Sequence, residues 1–109
     1  MKKFVFVYYG SVRHEDIEQK NMKEIMDKWM AWFGTFKDKM VDGGNPFASG
    51  AQSVTANGTQ TIPPDMWPAK GYTIINAKDM AEATKIAQGC PALVDDKDGA
   101  VRVYEAMPM

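Results

Sequence analysis

The stretch Glu15-Asp16-Ile17-Glu18-Gln19-Lys20-Asn21-Met22-Lys23-Glu24-Ile25-Met26-Asp27-Lys28-Trp29-Met30-Ala31-Trp32-Phe33-Gly34-Thr35-Phe36-Lys37-Asp38-Lys39-Met40, running into Val41-Asp42-Gly43-Gly44-Asn45-Pro46-Phe47, decides how the rest of the chain reads. Apolar residues at 22, 25, 29, 33, 36 and 40 step by three or four, which is one face of an α-helix. Met26, Met30 and Trp32 widen that face beyond a single stripe. So wide a face implies a helix held between two surfaces or bordering a pocket. Asp16 with Gln19, and Asn21 with Glu24, both read as capping boxes. The periodicity predicts a helix over about 16–40. Gly34 lies on a flank of the apolar face, where a helical glycine costs about 1 kcal/mol relative to alanine. Close approach of another backbone or a ligand would offset that cost. Asp42 to Pro46 are residues that start turns and tolerate positive φ.

The flanks are strands. Residues 3–9 are aromatic and β-branched, with Phe4, Phe6 and Tyr8 on one face and Val5, Val7 and Tyr9 on the other. Neither face is polar, so both are expected to be covered. Residues 51–56 read as a second strand, Asn57-Gly58 as a turn, and Thr59 to Ile62 as a brief return. Pro63 to Pro68 is an extended loop, since proline donates no backbone hydrogen bond. It reads equally as a lid over a cleft and as a rim loop packing Trp67. Gly71 to Ala77 is a third strand, with Tyr72 and Ile74 opposite Thr73 and Ile75. Asp79-Met80-Ala81-Glu82 opens a second helix, about 79–88, stopped by Gly89 and Pro91. Residues 92–100 read as a loop and Ala100 to Ala106 as the last strand.

The expected fold class is therefore α+β, one domain over 1–109 in the ferredoxin-like order β-α-β-β-α-β, with a four-stranded antiparallel sheet. Helices cover one face of such a sheet. A second subunit is the simplest cover for the other, giving a homodimer.

Composition narrows the function classes. In 109 residues the net charge is −1, which provides no electrostatic footprint for nucleic acid or an anionic membrane. No stretch approaches the roughly 20 apolar residues of a membrane span. Cys90 is the only cysteine, so no internal disulfide forms, and with no signal peptide a cytoplasmic location is expected. Nine methionines suit adaptable core filling or a deformable pocket.

The segments Lys3-Phe4-Val5-Phe6-Val7-Tyr8-Tyr9-Gly10, Val41-Asp42-Gly43-Gly44-Asn45-Pro46-Phe47, Gly71-Tyr72-Thr73-Ile74-Ile75 and Cys90-Pro91, with a closing Val-x-Val-Tyr-Glu-Ala-Met-Pro, resemble the YCII-related family in its DGPF-type branch. The resemblance covers nearly the whole chain and rests on the order and spacing of short motifs. It implies a dimeric α/β barrel. It also implies that some relatives are small enzymes with a His-Asp pair in a cleft, one branch being linked to degradation of chlorinated aromatics. Where that histidine is expected on the first helix, this chain has Trp29-Met30. Asp42 falls near the acidic position.

The candidate site follows from the turn and the helix. Asp42 is the candidate proton-transfer group, with Asn45 and Tyr8 orienting a ligand and the Gly43 amide free to meet an anion. Trp29, Trp32 and Phe33 can wall a pocket, with Tyr72 supplying a polar tip. Turn chemistry and core packing are the plainer readings of the same residues. His14 is a possible base, but Arg13, Glu15 and Asp16 around it read as a solvated loop. Cys90 reads as buried packing. With one histidine and one cysteine, a zinc site of the usual ligand types is not available, and the Asp95-Asp96-Lys97-Asp98 run reads as a solvated turn. No metal and no cofactor is expected. The functional expectation is a homodimer binding a small, partly apolar molecule, either as a binder or as a cofactor-independent enzyme; the alternative is a non-enzymatic oligomerisation or interaction module.

Overall fold

A computed structural model describes residues 1–10, 19–48, 50–62 and 69–109, with only the backbone of 19 and 20. The expectations for His14, for the Asp16 cap and for Pro63 to Pro68 lie outside these residues. In chain order the elements are β1 (Lys2–Tyr9), α1 (Gln19–Gly34), β2 (Met40–Asp42), β3 (Gln52–Thr55), β4 (Gly58–Thr61), β5 (Ala69–Ala77), α2 (Met80–Ala87), α3 (Ala92–Asp95) and β6 (Ala100–Ala106). The chain is α+β. An antiparallel sheet runs in the order β2-β5-β1-β6, and β3 with β4 forms a separate hairpin.

Strand alternation decides what the sheet buries. Phe4, Phe6 and Tyr8 of β1 lie opposite Ile75, Thr73 and Gly71 of β5, and this face carries the core together with Trp32, Phe36, Ala83, Ala87 and Cys90. Each large apolar side chain buried there contributes on the order of 1.5–3 kcal/mol. α2 brings alanines 83 and 87 to the core, so its backbone sits close to the sheet. Its start carries the expected Asp79 cap, whose side chain accepts from the Glu82 amide at 2.9 Å, while Glu82 Oε1 reaches one residue further back than a capping box requires and accepts from the Lys78 amide at 3.1 Å. On the other face, Val5 pairs with Ile74 and Tyr104, and Val7 with Tyr72 and Arg102.

Four expectations are corrected. First, the helix ends at Gly34, not near Met40. The Thr35 and Phe36 amides bond back three residues, to the Trp32 and Phe33 carbonyls, and the Thr35 hydroxyl bonds the Trp32 carbonyl at 2.6 Å. A 3-10 helix at Lys37–Lys39 follows, closed by bonds from the Lys39 amide to the Phe36 carbonyl and from the Met40 amide to the Lys37 carbonyl. A Cβ on Gly34 would meet nothing within 4 Å, so no close approach explains this glycine. It closes a helix rather than interrupting one.

Second, the sheet's strand after α1 is Met40–Asp42, paired with β5, and not 51–56. Residues 52–55 pair only into their own hairpin among the described strands. Gln52, Ser53 and Thr55 supply no apolar face to bury, and Val54 is exposed. Third, 92–100 is not all loop. Pro91, at φ −60°, starts the short helix α3, its fixed φ suiting a first turn. Fourth, Asp96 is not solvated: it is 6 % exposed, and its side chain accepts from the Asp98 amide at 3.0 Å.

Candidate functional site

α1 turns two faces inward. At about 100° per residue, Trp32 points in one direction while Met22, Met26, Trp29 and Phe33 share another. The first direction is core. Trp32 is 6 % exposed, stacks on Phe6, meets Phe36 edge-on, and donates its ring N–H to the Ile86 carbonyl at 3.1 Å. The second direction faces a cavity of about 310 Å³, with Ile25 and Met30 at its edges. Trp29 meets Tyr8 edge-on at 4.9 Å between ring centres, and Phe33 at 5.9 Å.

The opposite wall is built by β1, β5 and the turn after β2: Tyr8, Lys70, Gly71, Tyr72 and Thr73 with Gly43, Gly44, Asn45 and Pro46, and Ala92 from α3. The turn is held in place by defined bonds. Asp42 Oδ1 accepts from the Gly44 amide at 2.8 Å, an Asx turn of the expected kind. Gly44 has φ +75°, and a Cβ there would overlap the Tyr72 carbonyl. Pro46 then bridges Gly71, and the Phe47 amide donates to the Lys70 carbonyl at 2.7 Å. A Cβ on Gly71 would come within 2.9 Å of the Asn45 carbonyl oxygen, so two glycines let the turn lie against β5.

A short hydrogen-bonded chain runs along the sheet side of the cavity. Tyr8 donates to Thr73 Oγ1 at 2.7 Å, and Thr73 donates to the Gly43 carbonyl at 2.9 Å. Burial is the main reason the Tyr8 phenol is pushed above its ordinary value, with the Thr73 bond acting in the opposite direction. Burial likewise pushes the Cys90 thiol up to about 11.

Six of the residues singled out from the sequence, Tyr8, Trp29, Phe33, Gly43, Asn45 and Tyr72, therefore line one cavity. Two do not. Trp32 lies in the core and borders an open groove between α1 and α2 instead. Asp42 is exposed and accepts at Oδ2 from the Tyr72 hydroxyl at 3.3 Å, on a side chain that strand alternation assigns to the outer face of the sheet. Lys70, Thr73 and the methionines of α1 also line the cavity. Thr73 had a signal, being a polar residue at an inward strand position. Lys70 had none: the pairing shifts between Tyr8, opposite Gly71, and Tyr9, opposite Ala69, and that bulge is not written in residue types.

Among the described residues no three His, Cys, Asp or Glu side chains gather as a metal-binding group, and no helix is long and apolar enough to cross a membrane. The chain matches no protein-family model and no curated protein.

Proposed function

We propose that this chain is a cytoplasmic, cofactor-independent homodimer of the YCII-related kind, with ferredoxin-like subunits in a dimeric α/β barrel, that binds a small, partly apolar molecule. The binding site is the cavity between α1, the Gly43 to Pro46 turn and the sheet. One observation carries the reading: aromatic and methionine side chains from one helix and polar groups from two strands and a turn converge on a single cavity of about 310 Å³. That is at the small end of the range for ligand pockets, about 300–1,000 Å³, and has their usual make-up of apolar walls with a few placed polar groups. The half-buried outer face of the sheet, with Val5, Val7, Tyr72 and Ile74 side by side, supports a second copy as its cover. The free, buried Cys90 is in keeping with a reducing compartment.

The test is binding of indole, followed by saturation-transfer NMR, in the natural chain and in Met30→Trp. Met30 is 61 % exposed at the cavity's edge, so a larger side chain there obstructs the mouth and spares the core. Binding that disappears in Met30→Trp is the expected result. Absence of binding in the natural chain would sink the reading and leave the wide face of α1 as an assembly surface.

A further inference from the structure

The polar groups of the cavity define the chemistry of its occupant, given the small-molecule reading above. Thr73 has one hydroxyl proton. The Gly43 carbonyl can only accept, so that proton goes to Gly43, and the Tyr8–Thr73 bond must use the proton of Tyr8. Tyr8 therefore has no proton left for a ligand. Its oxygen retains lone pairs and meets the cavity as an acceptor. The raised pKa of this phenol keeps the proton in place across the ordinary pH range.

Lys70 is the only charged side chain among the cavity's described lining residues. Strict alternation from Gly71 would send it to the outer face of the sheet. The bulge leaves it unpaired between Gly71 and Ala69, and a bulge re-aims a side chain. Its Cδ comes within 3.5 Å of the Cβ position of Gly10, where the Asp96 carboxylate also lies, and its charge acts on the thiol of Cys90, both on the helix side. The side chain is half-buried and makes no ion pair among the described residues. A half-buried ammonium that makes no ion pair among the described residues, beside an apolar cavity, is placed to meet an anion.

We infer that the cavity takes an amphipathic organic anion: an apolar body of about one or two rings against Trp29 and the methionines, a hydroxyl or amine that donates to Tyr8 Oη, and a carboxylate or similar group on Lys70 Nζ.

Calorimetric titration with three probes tests this: para-hydroxyphenylacetate, which carries both groups, phenylacetate, which lacks the donor, and para-hydroxyphenylethanol, which lacks the charge. Indole is the baseline for the cavity itself. The compound with both groups is expected to bind roughly tenfold tighter than either of the others, the usual size of one charge-assisted or well-placed hydrogen bond. Lys70→Gln should erase the advantage over the neutral alcohol without changing the alcohol's own affinity, and Tyr8→Phe should erase the advantage over phenylacetate. Because Tyr8 lies in the core, Lys70→Gln is the decisive variant if Tyr8→Phe unfolds. Indole binding with no discrimination among the three probes, or an unchanged preference in Lys70→Gln, overturns the inference and leaves the small-molecule site standing. Failure of all four compounds to bind overturns both.

Discussion

The hydroxyls of Tyr8 and Thr73, 65 positions apart in the chain, meet at 2.7 Å across the two central strands of the sheet. Thr73 has no measurable exposure and Tyr8 is 6 % exposed, so the pair is buried. Thr73→Val keeps the shape but strands both the Tyr8 proton and the Gly43 carbonyl. It is expected to cost about 1–3 kcal/mol in a urea melt. Tyr8→Phe combined with Thr73→Val should cost less than the sum of the two, because removing both partners leaves fewer polar groups unsatisfied. Strict additivity would show that the bond carries no coupling.

Stability should fall on the alkaline side. The Tyr8 phenol and the Cys90 thiol are both pushed up by burial, Cys90 to about 11. Raised folded pKa values favour the protonated groups, so their contribution is whole below the unfolded values of about 8.5 for the thiol and about 10 for the phenol. It is lost as pH rises from there towards the folded values, because the unfolded chain ionises first. Denaturation midpoints should therefore drop progressively above about pH 8.5, and Cys90→Ala should remove the earlier part of the drop.

Gly44→Ala should destabilise the chain by more than about 1–2 kcal/mol, the cost of a left-handed conformation for a residue with a Cβ. The added atom also overlaps the Tyr72 carbonyl. Gly34→Ala, which meets nothing, is the control. Thermal melts of the two variants should differ clearly, and equal melting temperatures would contradict the geometry of the turn.

The homodimer is testable at Val7, which lies between Tyr72 and Arg102 on the outer face of the sheet. Sedimentation should give twice the chain mass of 12.2 kDa for the natural protein. Val7→Lys should shift it to the single mass with unchanged circular dichroism, since a charge is costly to bury without a partner. A natural chain that sediments as a monomer at all concentrations would remove the dimer from the proposal.

Asp42→Asn should keep the fold, because an amide oxygen can still accept from the Gly44 amide, and should keep indole binding, because Asp42 does not line the cavity. If Asp42 transfers a proton in a reaction found at this site, the same change abolishes turnover. Full activity would remove Asp42 from the mechanism and leave it as the brace of the turn.

Local patterns carried the reading where one element's contacts decide its form. β1 and β6 show their faces by alternation, and α2 announces its start through Asp79 and Glu82. The reading failed at Phe36 to Met40, where helical spacing continued over residues that are a 3-10 turn followed by a strand. The Thr35 hydroxyl and the pairing of Met40 with Ile75 made the difference, and the second of these is a long-range contact. Gln52 to Thr55 misled for the converse reason: its β-propensity is real, but a strand enters a buried sheet only with apolar side chains to pack.

The sequence by itself determined an α+β chain, the division of the two central strands into two faces, and a helix too apolar for one surface. Those properties follow from periods of two and 3.6, which are local. The tertiary structure decided which part of that helix face is core and which is cavity, separating Trp32 from Trp29. It also left Asp42 outside the cavity and turned Lys70 towards the helix side. Each of these depends on which strand lies beside which and in what register, and a one-residue bulge redirects a side chain without altering the residues that flank it.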